Sequence, residues 1–205
     1  AFASTVSSTQ AYWNPSYHSI EAGYNGSGYD YSVYLHDVEN LEMRGGSGDD
    51  YLSRMSGNNT LVGNDGNDNL TSSSGGDDTL RGGAGDDYFN VSGGGADVID
   101  GGGGTDTLTL SRSDLTENVT VSVVSDGDGS TYAFSLPGGT TVSGTELLNL
   151  TTGSGDDHVT FANTTIKGYQ SWSAGAGNDT AEVDFSGLSI GVHYNNYWGE
   201  GTLVS

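Results

Sequence analysis

Between residues 45 and 109 the chain repeats itself every nine residues, and this period restricts its fold more than any other feature. Aligned on the last apolar residue, the units read GGSGDDYLS (45–53), RMSGNNTLV (54–62), GNDGNDNLT (63–71), SSSGGDDTLR (72–81), GGAGDDYFN (82–90), VSGGGADVID (91–100) and GGGGTDTLT (101–109). These seven units follow one another without a gap, two of them lengthened at their start by Ser72 and Val91. Two more stand apart, TGSGDDHVT (152–160) and AGAGNDTAE (174–182). The shared pattern is G-G-x-G-x-D-x-U-x, with U apolar. It describes a six-residue turn followed by a three-residue strand, and such units bury nothing unless they stack.

Early glycines permit positive φ, so the turn can curl tightly and aim its carbonyl oxygens inward, and the Asp at position six adds a carboxylate. Carbonyls and carboxylates are the hard oxygen donors that suit Ca²⁺, whereas Mg²⁺ retains waters and demands stricter octahedral geometry. In the strand only U points inside, giving the expected core Leu52, Leu61, Leu70, Leu80, Phe89, Ile99 and Leu108. One apolar side chain in nine does not offset the entropy of ordering the backbone around it. Stacking also brings carboxylates within about 5 Å of one another, where repulsion is on the order of 3 kcal/mol per pair at an effective dielectric of about 20. A bound cation has to supply the difference. Several calcium ions are therefore expected, their binding free energy is folding free energy, and the metal-free chain should be expanded and largely disordered.

Composition agrees. Five Lys and Arg stand against 27 Asp and Glu in 205 residues, a formal charge of −22, and only 33% of residues are hydrophobic. This balance excludes nucleic acid and anionic membrane surfaces as partners and favours a cation. The absence of cysteine excludes disulfides and thiolate metal sites. No apolar run approaches the roughly 18 residues of a membrane span. The opening AFASTVSSTQ has neither the basic start nor the apolar segment of a secretory signal.

The pattern resembles the RTX, or haemolysin-type, calcium-binding repeat family, densely over 45–109 and in patches over 152–182. The resemblance implies an all-β fold, a right-handed parallel β-roll in which alternate turns lie on opposite edges and each Ca²⁺ is shared by repeats n and n+2. Carried onto this chain, one edge holds Asp50, Asp68, Asp87 and Asp106, and the other holds Asn59, Asp78 and Asp97. Asn59 lacks the carboxylate and its turn lacks both leading glycines, so the site between repeats two and four is expected to be weak or empty. Carbonyl ligands are expected from Gly45, Ser47, Gly63, Asp65, Gly82, Ala84, Gly101 and Gly103. Asp157 and Asp179 are the corresponding ligands of the two separate units, while Asp49, Asp77, Asp86 and Asp156 are expected to face solvent. The resemblance also implies type I secretion, with folding outside the cell.

A longer regularity overlies the short one: VENLEMRGGSGDDYL (38–52) recurs as TELLNLTTGSGDDHV (145–159), and DTLTLSRSDL (106–115) resembles DTAEVDFSGL (179–188). This suggests tandem modules, with 1–44 the tail of a preceding β module, 45–109 the nonapeptide β-roll, 110–151 a variable β segment and 152–205 a second, truncated calcium-turn module. The variable stretches TVSVVS, TYAFSL, TTVSGTELLNL and TIKGY read as strands forming longer rungs beside the short ones. They carry nearly all the aromatics, which are expected to cap and widen the coil. A glycan platform built on Trp13, Trp172 and Trp198, or strand-edge self-association with neighbouring modules, would be other uses for them.

Catalytic signatures are missing. His18, His36, His158 and His193 show no H-E-x-x-H spacing, no serine sits in G-x-S-x-G, and the single lysine, Lys167, follows no phosphate loop. The sequence thus reads as a non-catalytic, calcium-stabilised scaffold of extending or adhesive character from a large secreted or cell-surface bacterial protein. A secretion and folding domain of an exported hydrolase and a carbohydrate-binding module are the alternatives.

Overall fold

The computed structural model describes residues 10–14, 19–24, 29–34, 40–54, 56–73, 75–125, 132–162 and 170–184, which hold eighteen strands and no helix. Through the nonapeptide region the strands are β4 (Glu42–Arg44), β5 (Tyr51–Arg54), β6 (Thr60–Asp65), β7 (Asn69–Ser73), β8 (Thr79–Ala84), β9 (Tyr88–Ser92), β10 (Val98–Gly103) and β11 (Thr107–Ser111). Each pairs in parallel with the strand two units away, so even-numbered strands make one sheet and odd-numbered strands a second. The period-two alternation of a strand then places one apolar residue per unit between the sheets. Leu52, Leu70, Phe89 and Leu108 lie in register on the odd sheet, and Met43, Leu61, Leu80 and Ile99 on the even one. All are buried. Their neighbours Tyr51, Tyr88 and Val98 face outward, 36–41% exposed. The chain is a parallel β-solenoid, as its nine-residue period requires.

The flanking segments add strands of similar length, some of them antiparallel. β1 (Gln10–Asn14), β2 (Ser19–Tyr24) and β3 (Tyr29–Tyr34) form an antiparallel ribbon that joins the odd sheet through a parallel β1–β5 pairing. Beyond the array, β12 (Thr120–Ser125), β13 (Tyr132–Ser135) and β14 (Thr141–Thr145) form a meander in the even sheet between β10 and β16 (His158–Ala162). In the odd sheet β15 (Leu147–Thr151) stacks directly on β11, followed by β17 (Gln170–Ser173), while β18 (Thr180–Asp184) follows β16. The stretch TTVSGTELLNL, expected as one strand, breaks at Glu146 because its two halves, β14 and β15, enter different sheets. The strand expected over TIKGY (165–169) lies outside the described residues.

Tyr132 and Phe134 of the meander enter the core, and Trp172 packs half-buried against it. Trp172 is tied down through its indole N–H, which donates to Thr152 Oγ1 at 3.0 Å. Trp198 lies outside the described residues, as do His18, His36, His193 and Lys167. The two copies of the long repeat fall on opposite sheets: Met43 is on β4 of the even sheet, and its sequence counterpart Leu150 is on β15 of the odd one.

Candidate metal centre

Turns that lead from the even sheet to the odd sheet form a first edge, and turns that lead back form a second. Asp50, Asp68, Asp87 and Asp106 occupy the first; Asn59, Asp78 and Asp97, then Asp157 and Asp179, occupy the second. All of these except the half-buried Asp179 are at most 3% exposed. One oxygen of most of these carboxylates accepts a backbone N–H of the preceding turn on the same edge. Asp68 Oδ1 accepts the Asp50 N–H at 2.7 Å, Asp87 Oδ1 the Asp68 N–H at 2.8 Å, and Asp106 Oδ1 the Asp87 N–H at 2.8 Å. The second edge repeats the motif from Asp78 to Asn59 (2.7 Å) and Asp97 to Asp78 (3.0 Å), then from Asp157 to Val119 and Asp179 to Asp157 (both 2.9 Å).

The other oxygen is the telling one. Oδ2 of Asp68, Asp87, Asp106 and Asp157 is buried with no hydrogen-bond partner. An unpaired, buried carboxylate oxygen is costly unless a cation meets it. On the first edge the space for that cation is made by glycine. A Cβ built on Gly82 would fall on Asp87 Oδ2 and 2.5 Å from the Gly101 carbonyl oxygen, and one on Gly63 would fall on Asp68 Oδ2 and 2.7 Å from the Gly82 carbonyl. Gly45 repeats the arrangement with Asp50 Oδ2 and, at 2.5 Å, the Gly63 carbonyl. Position-one glycine is therefore required for room, whereas the glycines at positions two and four carry the positive φ, as in Gly83 (126°) and Gly85 (129°). Asn64, with φ 85°, takes position two of its turn, and is the one non-glycine with positive φ among the described residues.

The expected carbonyl ligands separate accordingly. Those of Gly63, Gly82 and Gly101 converge with carboxylates on these slots. The Gly45 carbonyl accepts the Asn64 side-chain amide at 2.8 Å, and those of Ala84 and Gly103 accept the Gly66 and Gly85 N–H groups of the adjacent turns, also at 2.8 Å. Ser47 and Asp65 hold the same turn position as Ala84 and are exposed. Among the described residues no three carboxylates or imidazoles converge, so any ion here takes peptide carbonyls with its carboxylates. That donor set fits Ca²⁺ and does not suit a transition metal.

The second edge is filled differently. Where the first has Gly45, Gly63, Gly82 and Gly101, two positions beyond the core residue, the odd strands carry Arg54, Ser72, Val91 and Leu110, all buried. Both extra residues of the nonapeptide array fall on this edge. Ser72 Oγ donates to Asp78 Oδ2 at 2.5 Å, so that oxygen is already engaged. Asn59 turns its amide onto Asp78 Oδ1 (3.1 Å) and onto the Ser56 and Gly57 carbonyls (3.0 and 2.8 Å). Beyond Asp97 the edge receives the Arg112 guanidinium, itself buried. It donates to the Gly95 carbonyl at 3.1 Å and to Thr140 Oγ1 at 2.7 Å, and pairs with Asp114 at 3.1 Å.

Electrostatics follows from burial. Desolvation pushes the carboxyls of Asp68 and Asp106 up to about 7 and those of Asp87 and Asp97 to about 6. The backbone N–H that each accepts pulls the other way, and neighbouring carboxylates add to the rise. A cation in the slots would reverse the balance by favouring the charged form.

The residues at position five hold more than the solvent-facing role expected of them. Asp49, Asp77, Asp86 and Asp156 are exposed, yet Oδ1 of each accepts the N–H of the residue stacked on it: Asn67, Ala96, Thr105 and Asn178, at 2.8–2.9 Å. Asn40, Asn58, Asn67 and Asn118 do the same with their amide oxygens. The recurrence of Asp and Asn at this position in successive units is the sequence signal for the ladder. His158 is on β16, 3.8 Å from Glu182 and 3.3 Å from Thr160, with no further catalytic group beside it among these contacts.

The family model for the RTX calcium-binding nonapeptide repeat, in four copies, matches residues 44–77 and 72–95. These are RTX repeats. No curated protein matches the chain. The RTX repeat region is a calcium-binding structural module, of a kind that is generally non-catalytic. Among the described residues no helix is long and apolar enough to cross a membrane.

Proposed function

We propose that this chain is a scaffold that folds when it meets extracellular calcium, serving as an extending or adhesive module of a secreted or surface bacterial protein. The observation that carries the reading is the row of buried, unpartnered Oδ2 atoms of Asp68, Asp87 and Asp106, each in a slot that glycine leaves open. Those residues, with the carbonyls of Gly63, Gly82 and Gly101, would hold the ions. Bound calcium supplies charge neutralisation and a common anchor for turns two repeats apart. At cytosolic calcium the carboxylates repel and the chain stays unfolded for export; at millimolar calcium mass action favours the stacked form. The long sequence copies, 38–52 and 145–159, support a modular arrangement in which neighbouring blocks of one chain are its partners.

Removal of calcium by EGTA should abolish most of the far-UV β signal, and titrating calcium back should restore it cooperatively. A metal-free protein that keeps its β signal and melts cooperatively would defeat the reading.

A further inference from the structure

The first-edge column does not stop at the last nonapeptide. Past Asp106 the next residue in line is Glu146, 40 positions downstream at the corner between β14 and β15. Glu146 Oε2 accepts the Asp106 N–H at 2.6 Å, the bond by which Asp106 in turn holds Asp87. The slot below is complete in the same sense as its predecessors. A Cβ built on Gly101 would fall on the Gly144 carbonyl oxygen and 2.5 Å from Asp106 Oδ2, and that oxygen is buried without a partner. Gly144 thus stands where Gly101 stands for Asp87. Thr145, between Gly144 and Glu146, also buries a hydroxyl with no partner.

We infer that Asp106, Gly144 and Glu146 form a further divalent-cation site, of the calcium class, in which the meander supplies what the next nonapeptide would have supplied. The inference rests on the calcium reading above. It differs from it in drawing ligands from outside the repeats, and in having the ion also fix the start of β15, and so the block β15–β18, to the end of the array. Two carboxylates with peptide carbonyls again make a hard oxygen set.

Glu146→Gln tests it, because glutamine keeps an oxygen to accept the Asp106 N–H and loses the charge. Native mass spectrometry and calcium calorimetry should show one ion fewer, or one site weakened about tenfold or more. Amide exchange across 147–151 should rise in calcium, while exchange across 60–90 stays as in the parent. Equal ion count and affinity in the variant would overturn the site, showing Glu146 to be only a cap for one peptide N–H. Should the variant not fold, a calcium-soaked crystal of the parent chain decides: an ion touching Asp106 Oδ2 and the Gly144 carbonyl is expected. Ions in the slots of Asp68 and Asp87 with none beside Asp106 would overturn this site alone. No calcium bound anywhere would overturn the general reading, and this one with it.

Discussion

The two edges of the roll are built from the same nine-residue unit and solve the same electrostatic problem in different ways. On the first, glycine at position one leaves a slot where a carboxylate oxygen approaches a peptide carbonyl, and in the slots of Asp68, Asp87 and Asp106 that carboxylate oxygen has no hydrogen-bond partner. On the second, the equivalent positions of the array are Arg54, Ser72, Val91 and Leu110; Ser72 and Asn59 meet the Asp78 carboxylate and Arg112 bonds the Gly95 carbonyl, while past the array one oxygen of Asp157 stays without a partner. The difference teaches that position one decides whether a turn needs a metal. A side chain there brings its own donors or its own bulk, and a glycine there leaves the charge to an outside ion.

The comparison breaks most visibly at Gly82. Gly82→Ala places a methyl on Asp87 Oδ2, costing about 1–3 kcal/mol of overpacking strain. It also removes linkage worth about 2.7 kcal/mol at hundredfold saturation. Calorimetric ion counting with urea melts in calcium should show at least one ion lost and a stability deficit of about 4–6 kcal/mol. The matching second-edge change, Ser72→Ala, should cost about 1–3 kcal/mol, the penalty of leaving Asp78 Oδ2 unsatisfied, and no ion. Equal losses for the two would erase the distinction between the edges.

Arg112→Met sharpens it from the other side. Withdrawing the guanidinium removes its bonds to the Gly95 carbonyl and Thr140 Oγ1, which keep each other at 3.1 Å, and its pair with the exposed Asp114, a cost of about 1–3 kcal/mol in calcium-saturated protein. Because this cation is part of the chain, saturating calcium should not recover the loss, and urea melts at rising calcium would reveal it if it did.

The same comparison can be probed by pH in the metal-free chain. The folded values of about 6 to 7 for Asp68, Asp87, Asp97 and Asp106 lie above the ordinary 3.8, so between about pH 4 and 7 the folded state binds more protons than the unfolded one. Residual stability of the metal-free chain is therefore greatest at the acid end of that window and declines as pH rises through it. Calcium affinity runs the opposite way, falling as protons compete below about pH 7. A residual far-UV β signal of the metal-free chain that is larger at pH 7.5 than at pH 5 would contradict the burial of these carboxyls.

Much of this is legible in the sequence. The core from Leu52 to Leu108 follows from a period of one short strand and one turn, and the division of aspartates between two edges from the resemblance to RTX repeats. The corner at Glu146 is not, because TTVSGTELLNL alternates as a single strand would, and only the sheet partners of its halves reveal the break. Arg112 is silent for a similar reason: SRSDL reads as a polar loop, and its role depends on Gly95 and Thr140, 17 and 28 residues away. Position one shows the limit most clearly. Glycine there reads as backbone freedom, which positions two and four use, whereas its value is the volume it leaves to a neighbouring carboxylate.

The two side-chain ladders run in opposite senses. At position six the later turn accepts from the earlier, and at position five the earlier accepts from the later, each across 18 or 19 residues on the nonapeptide array. Whichever end of the polymer first reaches open solution, a lone loop finds neither of its clasps. The smallest segment able to hold its shape is a pair of same-edge loops with the strand pair between them, so growth of the rod advances in strides of two units.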